Sequence, residues 1–445
     1  MANIPGFPFP YCEIQFNKEG AAADDNEVNQ ALHSISQGAF TDLFIVSHGW
    51  NNDMAEARNL YKKLFDCVNK VITDGSVPGL GARKFGVLGV LWPSKKFAEE
   101  ELIPSGAAGV NSAVTVNFIQ QQLDDLKGVF DKADADATLE KAKQLVPKIE
   151  NSPSAQREFV DLIRSLPDRS ADKLEDASDK FFTLDGADVM KRLSKPVFAT
   201  PTAKPGGASS LRSPLGGGHG AGGAAGLGSF FSGIKSGARN LLNFTTYYQM
   251  KSRAGVVGQL GVNPIIQKIQ SQNNGLKIHL MGHSFGGRLV TAAVFGAGAQ
   301  PALKVNSMTL LQAAFSHNGF AKDFDGSHDG FFRKVVTEGR VTGPTVITFT
   351  KNDKAVGLAY PLASLLAGQD ASALGDKNDK FGGIGRNGAQ HTPESSDGTL
   401  LAIGGAYQFE AGQLHNLNSD EIIKGHSDIC HNEVAYAILN AVATT

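Results

Sequence analysis

The sequence predicts an α/β protein with a mostly parallel central sheet flanked by helices. Three observations carry this. Short, continuously apolar runs such as TDLFIVS and KFGVLGVLWP have the form of strands covered on both faces. Segments with apolar residues at helical spacing separate those runs. A strand–helix–strand unit near the start and a second series after residue 275 both follow the βαβ order of a parallel crossover.

Residues 11–17 are expected to form an edge strand and residues 26–37 a short helix. TDLFIVSHGW, residues 41–50, is a buried strand. The helix over residues 53–71 follows from Leu60, Leu64, Cys67, Val68 and Val71, with Asp53 as its N-cap. KFGVLGVLWP is the next strand, ended by Pro93.

The alternation then stops. Ile119, Leu123, Leu126 and Phe130 mark one amphipathic helix, and Leu139, Ala142, Leu145 and Ile149 a second. Phe159, Leu162, Ile163 and Leu166 mark a third, opened by Ser152 as cap and Pro153 as first helical residue. From residue 201 the composition changes, with twelve glycines between Gly206 and Gly237. Such a stretch cannot bury enough surface to offset its backbone entropy and is expected to be mobile. The expected organisation is residues 1–93 as the first part of a core, 94–237 as a helical cap insertion ending in a glycine-rich linker, and 238–445 as the rest of the core. The apolar LGSFFSGI at the end of the linker is either a lid tip or plain linker.

Order resumes with helix over residues 238–272, in two pieces around Gly261–Pro264. GLKIHLMGHS is a strand and FGGRLVTAAVFGAG a helix. SMTLLQAAF, FFRKVVTEGRV and TVITFTKND are expected as strand, helix and strand. AVGLAYPLASLLAG is expected as helix, residues 371–399 as loop, 406–414 as the last strand, and 428–442 as the last helix.

GLKIHLMGHSFGGRL contains G-x-S-x-G as Gly282-His283-Ser284-Phe285-Gly286. The bare pattern is common, but here a buried strand enters it and an apolar helix leaves it. A nucleophile turn needs that reversal, with glycines where side chains would clash. Ser284 would then sit at a helix N-terminus, where developing negative charge is favoured. The GHSFGG string and its context resemble the α/β-hydrolase superfamily of serine hydrolases, in a form common among lipases and esterases. The resemblance covers residues 42–93 and 277 onward, not the insertion.

The resemblance implies an oxyanion hole of two backbone N–H groups. One is that of Phe285. The other is that of Trp50, because His48-Gly49-Trp50 follows an early strand where such enzymes carry His-Gly-X. Losing one such donor costs about 3 kcal/mol of barrier. It also implies the order nucleophile, acid, histidine. Asp353, ending TVITFT, fits the acid, with Asp323, Asp325 and Asp329 as weaker candidates. His426 in KGHSDI fits the base, with His415 next. Ser427 or Asp428 would cap the last helix, and His431 would lie inside it. His283, beside the nucleophile, is taken as structural.

The expected activity is hydrolysis of carboxylic esters, including lipid acyl esters, through an acyl-enzyme. Acyl transfer or peptide cleavage on the same residues, or a binding protein that has lost catalysis, are the rival expectations. No cofactor is implied. No metal is expected either, since His426 and His431 do not share a helical face and no cysteine pair supports zinc. A net charge of −2 gives no whole-chain attraction to nucleic acid. The partner expected is a small-molecule or lipid ester, with peripheral lipid contact open. Three cysteines form no disulfide framework, and MANIPGFPFP has no signal-peptide pattern. These features and the lack of a long apolar run point to a cytoplasmic protein, with signal-independent export left open.

Overall fold

A computed structural model describes residues 4–50, 52–94, 112–167, 178–194, 233–298, 302–353, 355–356 and 381–445. Eight strands form one sheet. They are β1 (Tyr11–Gln15), β2 (Asp42–Ser47), β3 (Phe85–Leu91), β4 (Lys277–His283), β5 (Ser307–Leu311), β6 (Thr345–Phe349), β7 (Ser395–Thr399) and β8 (Leu414–Asn418). Their order is β1-β3-β2-β4-β5-β6-β8-β7, and every pairing is parallel.

The continuous apolar runs are explained by the pleat. Leu43 and Ile45 of β2, with Leu88 and Val90 of β3, enter the core on one face of the sheet. Phe44 and Val46, with Val87 and Leu91, enter the core on the other. The first face is covered by α1 (Asp25–Gln37) and by a long helical stretch described below. The second is covered by α2 (Met54–Thr73), which packs on the C-terminal helix. Asp53 caps α2 as expected: its carboxylate accepts from Glu56 N and the Glu56 carboxylate accepts from Asp53 N, each at 2.8 Å.

The expected insertion, between β3 and α8 (Ile234–Val256), holds α3 (Ser112–Asp125), α4 (Ala135–Leu145), α5 (Pro153–Arg164), α6 (Ser178–Thr183) and α7 (Gly186–Leu193). Ser152 and Pro153 open α5 as the sequence predicts. α3, α5, α6 and α7 pack on α8, α4 packs on α3 and α5, and one apolar cluster runs from Ile119 and Phe159 to Leu289 without a break. The glycine-rich stretch, with most of LGSFFSGI, lies outside the described residues.

A polar brace ties the loop after α3 to α8, to the end of β3 and to the loop after β1. Buried Arg253 on α8 donates to Pro93 O (3.1 Å), Val129 O (2.7 Å) and Asp131 Oδ1 (3.2 Å). Asp131 also accepts from Gln249 and pairs with Lys18 at 2.9 Å. Removing Asp131 leaves the Arg253 charge without its counter-ion. Asp131→Ala is therefore expected to lower stability by about 2 kcal/mol, read from the urea midpoint.

The structure differs from the sequence expectation in several places. The break expected at Gly261–Pro264 is absent: α8 continues through a π-helical turn (Val257–Val262) into α9 (Asn263–Gln272). Here Gly258 lies so close to α10 (Phe285–Phe295) that a β-carbon would sit 2.2 Å from Leu289 O. FFRKVVTEGRV forms only the short α11 (Arg333–Thr337), and a further short helix, α12 (Ile384–Asn387), precedes β7. The last strand is not residues 406–414 but β8. Tyr407 and Phe409 stack on each other at 4.7 Å and pack on the second-face core, which is why their apolar spacing resembled a strand. Ser395–Thr399, expected as loop, is edge strand β7. It is largely exposed and polar, so it carries no apolar signal. The last helix, α13 (Asn432–Ala443), starts later than expected. His431 precedes it and makes no capping bond; Asp428 instead binds His431 Nε2 at 2.8 Å. Of the helix expected over 355–368, only Ala355 and Val356 are described. No described helix is long and apolar enough to cross a membrane.

Candidate active site

The sheet order creates the location. The chain leaves β2 for β3 on one side of β2, and leaves β4 for β5 on the other side. Neighbouring strands whose connections diverge leave a crevice at their carboxyl ends, where open α/β sheets bind ligands. His48-Gly49-Trp50 follows β2 there, and Ser284 follows β4. Asp353 and His426 follow β6 and β8 at the same edge of the sheet.

Ser284 turns the chain from β4 into α10. Its backbone is at φ 55°, ψ −126°, a strained conformation for a residue with a side chain. It is held by Ser284 N donating to Leu311 O and by Ser284 O accepting from Gly287 N and Ala314 N. Close approach explains the flanking glycines. A β-carbon on Gly282 would lie 2.3 Å from Gly286 O, and one on Gly286 would lie 2.2 Å from Ser47 O.

The sequence-predicted residues come together. The Ser284 hydroxyl donates to His426 Nε2 at 2.8 Å, and His426 Nδ1 donates to Asp353 Oδ2 at 2.8 Å. Asp353 is fully buried, and its other carboxylate oxygen accepts from Val356 N at 2.9 Å. His426 is 20 % exposed, so its ring faces both the buried acid and the solvent side. The acid and histidine loops are stapled to each other. Asp420 accepts from Thr350 Oγ1 and Lys351 N, while Asn352 Nδ2 donates to Asp420 O and Ile423 O. Sequence reasoning missed this staple, which has no local pattern.

The loop after β2 lies against Ser284. A β-carbon on Gly49 would meet Ser284 Cβ at 2.4 Å and Oγ at 3.0 Å. His48 fixes the loop from within the core. Its Nε2 accepts from Trp92 N (3.2 Å), its Nδ1 donates to Gly49 O (2.9 Å), and its N–H donates to the Tyr61 hydroxyl. Phe285 is the first residue of α10, where amides lack intrahelical acceptors. The Phe285 ring packs beside Trp50 and against Tyr247 on α8, at ring-centre distances of 6.2 and 4.9 Å.

The other candidates lie elsewhere. Asp325 binds Ser327 and His328 within its own exposed loop, and Asp329 accepts from Asp323 N. His415 bonds Ser396 and Glu410 at the β7 edge. His391 is exposed, and its carbonyl accepts from Lys322 N. Among the described residues, no group of three His, Cys, Asp or Glu could hold a metal ion.

Burial holds four histidines below the ordinary imidazole range of 6.5: His279 and His415, His48 at about 4, and His283 at about 3. His283 is lowered further by its neighbour His426. The unfolded chain takes up these protons first as pH falls. The stabilisation is therefore full above about pH 6.5 and is lost on acidification, reaching the His48 and His283 contributions as pH falls through about 4 and 3. Each histidine can contribute a slope of up to about 1.4 kcal/mol per pH unit. Urea midpoints are expected to fall steadily from pH 7 to pH 4.5; a flat profile would contradict the neutral buried rings.

Comparison with protein-family models, with curated proteins and with solved structures finds no match.

Proposed function

We propose that the chain is a serine hydrolase of the α/β-hydrolase kind that cleaves carboxylic esters, including acyl esters of lipids. The observation that carries this is the unbroken hydrogen-bonded series from Ser284 on a strained turn, through His426, to buried Asp353. With its Nδ1 proton given to Asp353, His426 presents Nε2 as the base. It takes the Ser284 proton as Oγ attacks the acyl carbon. The main-chain N–H groups of Trp50 and Phe285 stabilise the oxyanion. His426 then protonates the departing alcohol. Water, deprotonated by the same nitrogen, attacks the acyl-enzyme, and Ser284 recovers its proton as the acid leaves.

The test is reaction with a fluorophosphonate probe, mass-spectrometric location of the adduct, and turnover of p-nitrophenyl esters from acetate to palmitate. A Ser284→Ala variant serves as control. The expected result is an adduct on Ser284 and ester turnover, both absent from the variant. The ladder ranks short against long acyl chains. A protein that neither labels nor turns over would overturn the proposal in favour of a binding role.

A further inference from the structure

We infer that His283 is a positioning residue that keeps His426 in place after Ser284 has been acylated, an inference that rests on the serine-hydrolase reading. His283 is the last residue of β4, joined directly to Ser284. Its ring is buried, and its Nε2–H donates to the main-chain oxygen of His426 at 2.8 Å. The two imidazoles lie 4.9 Å apart. The other ring nitrogen, Nδ1, is buried with no partner among the described residues. Burying an imidazole with one nitrogen unsatisfied is costly, and an apolar side chain would fill the same space without that cost. What an apolar residue could not supply is the donor to His426.

The chemistry gives that donor a particular moment to act. In the free enzyme the His426 ring is held at Nε2 by the Ser284 hydroxyl and at Nδ1 by Asp353 on a different strand end, while His283 ties the His426 main chain to the strand that carries Ser284. Acylation converts Oγ–H to an ester oxygen and removes the first of these bonds. His426 must then deprotonate water from the same position. The His283 bond does not involve the reacting oxygen, so it persists through this half of the cycle. It remains neutral while His426 passes through its charged form, because burial and the neighbouring ring both oppose a proton on His283.

The discriminating variants are His283→Gln, whose amide nitrogen reaches the position of Nε2, and His283→Asn, whose amide falls one bond short. In His283→Asn, kcat for p-nitrophenyl butyrate is expected to fall about a hundredfold, the scale of a misplaced catalytic group. Fluorophosphonate labelling, which needs only the first half of the cycle, should stay within about fivefold of the parent. Rapid mixing should show a burst of one p-nitrophenol per site, and KM should fall with kcat. His283→Gln should restore turnover to within about fivefold of the parent. If the asparagine variant does not fold, His283→Leu gives the same measurement without a donor. Equal loss of labelling and turnover with no burst, failure of glutamine to rescue, or parent-like turnover in the donorless variant would each overturn the inference. Absence of an adduct on Ser284 in the parent would instead remove the hydrolase reading, and this role with it.

Discussion

His426→Ala is expected to lower kcat for p-nitrophenyl esters by about a million-fold, the scale seen when one member of such a unit is removed. The loss is large because the groups act together. Without Nε2, nothing accepts the Ser284 proton, and the oxyanion donors have no attacking oxygen to serve. The variant should stay folded but lose about 1–3 kcal/mol, because the buried Asp353 carboxylate is left without its His426 donor. The ring is partly exposed, and its loop is held by Asp420 and Asn352 rather than by the imidazole. Measurement of kcat beside a urea titration checks both halves. An inactive variant that has also lost its cooperative unfolding would say nothing about catalysis. A folded variant within a hundredfold of the parent would remove His426 as the base.

Asp353→Asn should cost about ten-thousandfold in kcat with little change in KM. The reason is the tautomer. Asp353 Oδ2 can only accept from His426 Nδ1, so the proton stays there and Nε2 remains a lone pair aimed at Ser284. An asparagine amide can donate to Nδ1, which moves the proton to Nε2 and turns the base away from its task. The asparagine oxygen can still accept from Val356 N, so the loop should hold. Phosphonate labelling of this variant should slow in parallel with turnover, unlike that of the His283 variants.

Much of this arrangement was legible in the sequence because its signals are local. The strand entering GHSFGG, the helix leaving it, and the His-Gly-Trp after TDLFIVS each lie within a few residues, and the structure places them at adjacent strand ends. Asp353 and His426 follow from the chain order that the resemblance implies and from loop position; His426 bonds Ser284, and Asp353 bonds His426. What failed to show is what depends on partners distant in sequence. β7 is polar because it is an edge, and β8 is interrupted by His415, Asn416 and Asn418. Gly261 and Pro264 looked like a break, yet a π-helical turn carries the helix through, with Gly258 closely packed against α10. Asp420 and His283 matter through atoms they bond across loops, and no periodicity records such bonds.

The all-parallel order of the sheet has a consequence for how the molecule matures. His426 lies 142 residues from Ser284 and 73 from Asp353. No parallel neighbour can be joined by a tight hairpin, so each pairing waits on a long loop closure. Ser284 precedes both partners in the chain, and on the hydrolase reading it stays an ordinary, unreactive hydroxyl until β8 docks beside β6. Recovery of phosphonate reactivity after dilution from denaturant should therefore trail the return of helical signal, and on the hydrolase reading Ser284 becomes a chemical reporter for the docking of β8 beside β6.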